Sequence, residues 1–494
     1  MTTLAPRYKN LNGSPQGVLI AGIELSTLIA SIGSEASELI INQNVVVTAN
    51  TITPATLAIR VINGSLISIA NGVTLTINGY FDCGLYQAFA YTGTGRVKFA
   101  TGSIQQVYPE WYVADLTVAS LAMQHAYDSL PDNGGCIYIT RSVYMSATLL
   151  CNVTLKIITI RGSSVFKADL RYDGAGGVIS LQDGADATLE NFSINLAASA
   201  DSKGITIDGC YRVIMNRISM TTRGLTLTST QTFPTQGYNG VYWCTFTNVK
   251  ANWIVLAADN AGGGCNANTF ISCTTVGFHP TYLAGCYLGG SSGDGSNTNT
   301  FVGCDFSYGS SAGSVYAVIV GLFADHNTFI GTYIENADKA IYNRGYDTSF
   351  IGGQINGTLV VDQAAQGNFS IFTISNQSRQ KSVATSAVSA ANTWTIADDT
   401  AISFTDINVI SLISIISGLP ANSGILHIFP GNNECTTLSV GANIQASGVA
   451  LSGTTGVDGK LTISGNGGLT YIENRTGVSV TLSTITQGYP ANVS

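Results

Sequence analysis

Two carboxylates near the middle of the chain are spaced so that they could act on one bond. Asp305 lies in the run NTFVGCDFSYG and Glu335 in the run NTFIGTYIENA. Both runs open on Asn-Thr-Phe; Asp305 is six residues past its Asn and Glu335 eight past its own. If the runs superimpose as neighbouring turns of one coil, about 4.8 Å apart and offset by two residues of about 3.3 Å, the two Cα atoms stand about 8 Å apart. Hydrolysis of a glycosidic bond uses two carboxyl groups, about 5–5.5 Å apart for retention and about 6.5–9.5 Å for inversion. The expected roles are Glu335 as proton donor and Asp305 as its partner. Tyr333 and Tyr308 would offer flat faces for sugar rings, and Asn356, at the Glu335 position of a later run, a polar contact. Asp325, Asp338, Asp347 and Asp362 are alternatives, each also a common turn residue.

The elements that would hold these residues repeat. Asn-Thr-Phe heads three runs, at Phe270, Phe301 and Phe329; weaker copies surround Phe246 and Phe350, so the steps are 24, 31, 28 and 21 residues. Short apolar strands recurring at such a period indicate a coiled β-solenoid. Phe should then point inward and stack in a file. Asn should hydrogen-bond its copies above and below and take the left-handed turn conformation. Upstream, from residue 151, runs such as TLKIITIRG, TLENFSINL and RVIMNRISM read as further strands between Gly, Asn and Asp turns.

Composition agrees. Of 494 residues, 10% are charged and 55 are Gly, while 45% are hydrophobic, so order must come from many buried strands and tight turns rather than charged helices. Disorder is excluded by the apolar content. Net charge is −8 with no basic stripe, which argues against nucleic acid. The ten cysteines form no C-x-x-C pair and no His stands at zinc spacing, so we expect no metal and no cofactor. Cys273 and Cys304 both follow a file Phe by three, which reads as a stack of buried free thiols made in a reducing compartment. No signal-peptide pattern opens the chain, and Val18–Ile32 carries Glu24 and is too short to span a bilayer.

Three regions follow. Residues 1–104 form a β-rich head, cut by Asn63-Gly64, Asn71-Gly72 and Asn78-Gly79 at a spacing that suits strand-turn-strand packing. Residues 105–378 begin with a helix whose face is Val118, Leu121, Ala122, His125 and Ala126, with Thr117 as N-cap, and continue as the solenoid. That helix should lie as a lid across the open solenoid end, with His125 packed and hydrogen-bonded. GGSSGDGSNTN (289–299) should protrude as a loop beside the site rather than bind phosphate. Residues 379–494 alternate without the long period and read as a separate antiparallel β-sandwich.

Four stretches in this order resemble the phage tailspikes of the pectate-lyase-like β-helix superfamily. They are TLTINGYFDCGLYQAF with GTGRVKFATGSIQQVYPEWY, the helix with DSLPDNGGCIYI, the NTFIGTYIENADKAIY coil, and the C-terminal sandwich. Together they span about four-fifths of the chain. LTVASLAM (116–123) replaces the aspartates usual at the helix start. The resemblance implies an all-β, right-handed single-stranded parallel β-helix and a homotrimer. It also implies an N-terminal part docked to a tail or baseplate protein of the virion, assembly in the host cytoplasm, and a host cell-surface polysaccharide (O-antigen or capsule) as ligand. In such trimers the partner carboxylate can come from the neighbouring subunit.

Other chemistries fit less well. The Asn-Thr-Asp, Asp-Asp, Gly-His-Gly and Arg-Ile-Lys motifs of polygalacturonase-like helices are missing from the repeats, as is the acid cluster of Ca²⁺-dependent lyases. His279 and His326 stand alone. A non-enzymatic adhesin or structural tail appendage is the competing reading, because acids are few in the repeats.

Overall fold

The computed structural model describes residues 8–9, 15–18, 24–32, 36–152, 156–174, 176–195, 202–229, 240–258, 263–290, 295–307, 315–335, 339–356, 359–361, 370–372, 392–405, 408–417, 424–429, 434–466 and 469–490. These fall into two compact units, one reaching to the strand Ser370–Phe372 and the other beginning before Asn392. The first unit is a parallel β-helix.

Its coils begin earlier than the Asn-Thr-Phe runs suggest. Ser37–Ile41, Leu57–Val61 and Phe81–Asp82 pair in parallel; so do Val45–Val47, Ile67–Ile69 and Phe89–Tyr91, and so do Thr51–Ile52, Thr74–Ile77 and Arg96–Phe99. Three faces, each met once per turn, make a coil. Inward residues alternate with outward ones, so Leu39, Ile59 and Phe81 superimpose within the core. The Asn-Gly pairs therefore do not close hairpins. Asn63-Gly64 and Asn71-Gly72 turn the chain from one face to the next, with Gly64 at φ 89° and Gly72 at φ 73°. A Cβ on Gly79 would lie 1.9 Å from the Leu57 carbonyl oxygen of the coil below, so glycine is required there by close approach. Asn44, Asn50 and Asn71 each accept a backbone N–H from the next coil, from Leu66, Thr74 and Thr94.

The helix Ala122–Ser129 is not a lid. Tyr91, in the coil before it, packs its ring 4.5 Å from His125, while Gln124 exchanges two hydrogen bonds with the backbone of Leu150, in the coil after it. Coils lie on both sides, so the helix replaces a strand segment within a continuous core. Its buried residues include Ala122, Met123, Ala126 and Tyr127, whereas Val118 and Leu121 are 58% and 46% exposed. Thr117 does not cap it; its N–H and hydroxyl go to Asp115. His125 is packed between Tyr91 and Tyr112, but its buried Nδ1 has no hydrogen-bond partner, contrary to expectation. The apolar helix that joins the first coils is Leu25–Ile32, through Leu25 and Leu28.

From Gly134 onward the coils share a 17-stranded sheet and an 11-stranded sheet. Phe246, Phe270, Phe301, Phe329 and Phe350 stand in register, with successive ring centroids 4.5, 4.6, 4.6 and 4.5 Å apart and planes within 11°. The file continues upstream through Met215 to Leu189. Asn268, Asn299 and Asn327 form the expected ladder, all fully buried. The left-handed residue is the one before the Asn, however: Ala267, Thr298 and His326 have φ of 57°, 54° and 55°. The ten cysteines are free thiols, and Cys151, Cys210, Cys244, Cys265, Cys273, Cys286 and Cys304 are buried. Residues 295–299 do not protrude. Ser296 and Asn299 are buried, and a Cβ on Gly295 would fall 1.1 Å from the Phe323 carbonyl oxygen; residues 291–294 lie outside the described residues.

The second unit is a two-sheet β-structure. One sheet has five antiparallel strands, with Asn408–Ser417 between Val480–Pro490 and Gly424–Phe429. The other has four, paired antiparallel except for Ile444–Ser447 with Leu461–Asn466, which run parallel. Ile396, Leu426 and Val480 of the first sheet and Leu461, Ile463 and Ile472 of the second share one core.

Candidate functional site

The candidate carboxylates sit on strands made by a bend in each coil. The strand carrying the file Phe ends at a residue in the left-handed region, Gly303, Gly331 or Gly352, with φ of 58°, 61° and 66°. The chain then re-enters the same sheet as Asp305–Ser307, Tyr333–Glu335 and Gln354–Asn356. The middle residues Phe306 and Ile334 are buried, so the residues flanking them face outward.

Register places Asp305 opposite Tyr333 and Ser307 opposite Glu335, then Tyr333 opposite Gln354 and Glu335 opposite Asn356. Asp305 and Glu335 are thus on adjacent coils, offset by two residues. Tyr333 stands next to both. It pairs across with Asp305, and its hydroxyl donates to Glu335 Oε2 at 2.6 Å. That hydrogen bond holds the Tyr333 hydroxyl above its ordinary range. Asp305 Oδ1 accepts the Ser307 N–H at 3.1 Å and the Ser307 hydroxyl. Gln354 Nε2 donates to Asn356 Oδ1 at 3.2 Å. The result is a polar outer strip in which each acid is tied to a hydroxyl on its own strand.

Tyr308 lies outside the described residues, as do Asp338 and Asp362. Asp325 and Asp347 are elsewhere. Asp325 Oδ1 accepts the Tyr346 N–H at 3.2 Å, and Asp347 pairs with His326 Nε2 at 3.2 Å. His279 packs its ring 4.5 Å from Trp253 and 4.7 Å from Tyr282, and its Nδ1 accepts the Thr281 N–H. Ser307 and Gln354 share the strip through contacts to Asp305 and Asn356 two residues away, and neither was singled out from the sequence. Among the described residues, no group of three or more His, Cys, Asp or Glu side chains is disposed to hold a metal ion. No helix of the described residues is long and apolar enough to cross a membrane.

The first unit therefore defines the chain as a parallel β-helix protein. No family model matches the chain, and no curated protein does. Solved structures similar to it include Geobacillus virus E2 ORF18 (12% identity over 79% of this chain and 80% of that one, TM-score 0.36). A second is the tailspike of an Acinetobacter phage (11%, 78% and 88%, 0.32). A third is a mutant tailspike of the E. coli bacteriophage HK620 in complex with a pentasaccharide (12%, 97% and 92%, 0.24).

Proposed function

We propose that this chain is a tailspike-type receptor-binding protein that recognises a host cell-surface polysaccharide through the outer strip around Tyr333, and that Glu335 and Asp305 cleave it there. The observation that carries the reading is the register Asp305–Tyr333 and Ser307–Glu335, which sets two outward carboxylates on adjacent coils with an aromatic ring between them. An offset of one coil and two residues gives a Cα separation of about 8 Å. Side chains from that base span the range used for inversion. In this reading Glu335 delivers a proton from Oε1 to the leaving glycosidic oxygen, since Oε2 accepts from Tyr333, and Asp305 takes a proton from the water that attacks the anomeric carbon as the glycosidic bond breaks. Tyr333 and Asn356 contact the sugar. The fold and the order of the sequence motifs further suggest a homotrimer on a virion tail. Residues 1–104 would then face the tail or baseplate protein, and residues 379–494 would serve trimerisation or glycan binding.

The test is Glu335→Gln and Asp305→Asn with capsule or O-antigen of the host, scoring new reducing ends and, in parallel, absorbance at ~235 nm for lyase products. Wild-type cleavage that survives Glu335→Gln refutes the assignment. One observation favours the adhesin alternative: both acids already bond hydroxyls of their own strands, which suits a fixed binding surface. Retention of polysaccharide without any new reducing ends from the wild-type protein would select it.

A further inference from the structure

The outer face of the second sheet carries aromatic rings and cations that the strip around Glu335 does not use. Val255, Tyr287, Ile319 and Tyr342 occupy one register column on four successive coils, the last three partly exposed. Each lies between inward residues, as in Ile341–Asn343, where Tyr342 alone points out. Tyr282 stacks on Tyr287 with centroids 4.0 Å apart and planes 11° apart, and these rings cover Trp253 and Val255. Tyr316 stacks on Tyr342 at 5.3 Å and 24°. Lys339 Nζ lies 5.3 Å from the centre of the Tyr316 ring, and Arg344 Cζ lies 6.0 Å from that of Tyr342.

We infer that Tyr282, Tyr287, Tyr316 and Tyr342, with Lys339 and Arg344, form a second binding platform, for a polysaccharide bearing carboxylates. The rings lie on three successive coils about 4.8 Å apart, a run about 10 Å long, enough for about two sugar rings of an extended chain. Aromatic faces with a polar edge are suited to the apolar face and hydroxyl rim of a sugar. Two cations beside the rings add what a neutral sugar would not need. Arginine offers a planar fork that matches a carboxylate, and lysine a point charge. Their placement is notable in a chain of net charge −8 with 21 basic residues, where a neutral ligand would be served by the rings alone. The inference deepens the glycan-binding proposal by naming an acidic chain as ligand, and it rests on that proposal only for the idea that glycans are bound at all.

The experiment is affinity electrophoresis of the full chain in gels cast with alginate, a polymer of uronic acids, and with uncharged dextran. Alginate should retard the wild-type protein in proportion to its concentration, less so at high salt, while dextran should not. Lys339→Gln and Tyr316→Leu should each weaken retardation at least tenfold, with far-ultraviolet circular dichroism unchanged. Glu335→Gln in the same gels separates the two readings: retardation should persist in it. Absence of retardation by alginate, equal retardation by dextran, or loss in Glu335→Gln with retention in Lys339→Gln would each overturn the platform. So would a change in oligomeric mass by light scattering in Tyr316→Leu without a change in retardation, which would make the face a contact between copies of this chain.

Discussion

Asn299 Oδ1 accepts two hydrogen bonds from Asn268, one from its side-chain amide and one from its backbone N–H, both at 3.0 Å. Asn299 in turn donates from Nδ2 to Asn327 Oδ1 at 3.0 Å and to the Cys265 carbonyl at 2.8 Å. A buried side chain thereby serves the coil below and the coil above at once. This explains why the Asn recurs although the left-handed residue is its neighbour.

Asn299→Ala should therefore be far more costly than an exposed substitution. It strands the two Asn268 donors and removes both donors of its own amide, at a fully buried position. Each buried group left unsatisfied costs about 1–3 kcal/mol. Asn299→Asp keeps the shape but turns a donor into an acceptor facing Asn327 Oδ1, so it should also destabilise. Thermal denaturation reads both. A midpoint within experimental error of wild type for either would contradict the ladder.

The left-handed arches give a prediction of opposite signs. Ser272 and Gly331 are equivalent, each two residues past a file Phe, with φ of 51° and 61°. A Cβ on Gly331 would meet nothing within 4 Å, so Gly331→Ala tests conformation alone. It should destabilise by about 1 kcal/mol, since the left-handed region costs an L-residue about 1–2 kcal/mol. Ser272→Gly relieves that strain and should be neutral to mildly stabilising, the gain offset in part by unfolded-chain entropy. Chemical denaturation of both variants checks the pair.

Those arches also show where sequence reading stops. The Phe file and the Asn ladder were legible because one residue type recurs at a buried position where size or hydrogen bonding admits few others. The left-handed column before the Asn holds Trp243, Ala267, Thr298, His326 and Asp347, which share a backbone state and nothing else. The first coils were hidden for another reason. An Asn-Gly turn serves equally well as a hairpin tip or as the corner of a coil, and only the partner of the strand, 22 residues away for Ile67–Ile69 and Thr74–Ile77, decides between them. For the candidate site, the offset of Asp305 from Glu335 followed from the repeat. The hydroxyls that bind those acids did not, because an i, i+2 contact across an outward strand face leaves no periodic mark. Tyr316 belongs to no motif, and it meets Tyr342, the last residue of the NTFIGTYIENADKAIY run, only because their strands pair.

His125 should give the β-helix a pH dependence in the mildly acidic range. Burial holds its imidazole below the ordinary histidine value, partly opposed by the charge of Asp128. The unfolded chain thus binds a proton more readily than the folded one. This contribution is fully present above the unfolded value near ~6.5 and is lost as pH falls from there through the folded value. Tyr91 and Tyr112 face the ring, and burial raises both hydroxyls far out of this range, so neither titrates with it. Stability measured between about pH 7 and 5 should fall less steeply in His125→Phe than in wild type. An identical slope in the two proteins would rule His125 out as the source.

Glu473 offers a test confined to the second unit. It is fully buried, and its two oxygens accept the N–H groups of Thr455 and Gly456, each at 2.8 Å. A single side chain thus fixes a turn that Arg475 also holds from outside, through the Gly456 carbonyl at 2.6 Å. Glu473→Gln preserves the size of the side chain but presents an amide NH₂ to one of those N–H groups. Donor then faces donor, and one hydrogen bond to a charged acceptor is lost, for about 1.5–3 kcal/mol. Because the two units have separate cores, the loss should appear in the unfolding of residues 392–490 alone. Hydrogen exchange should show faster opening around residues 452–458 in the variant, with protection of the Phe246–Phe350 file unchanged. If the file loosens as well, the two units do not unfold independently; if neither changes, Glu473 does not hold the turn.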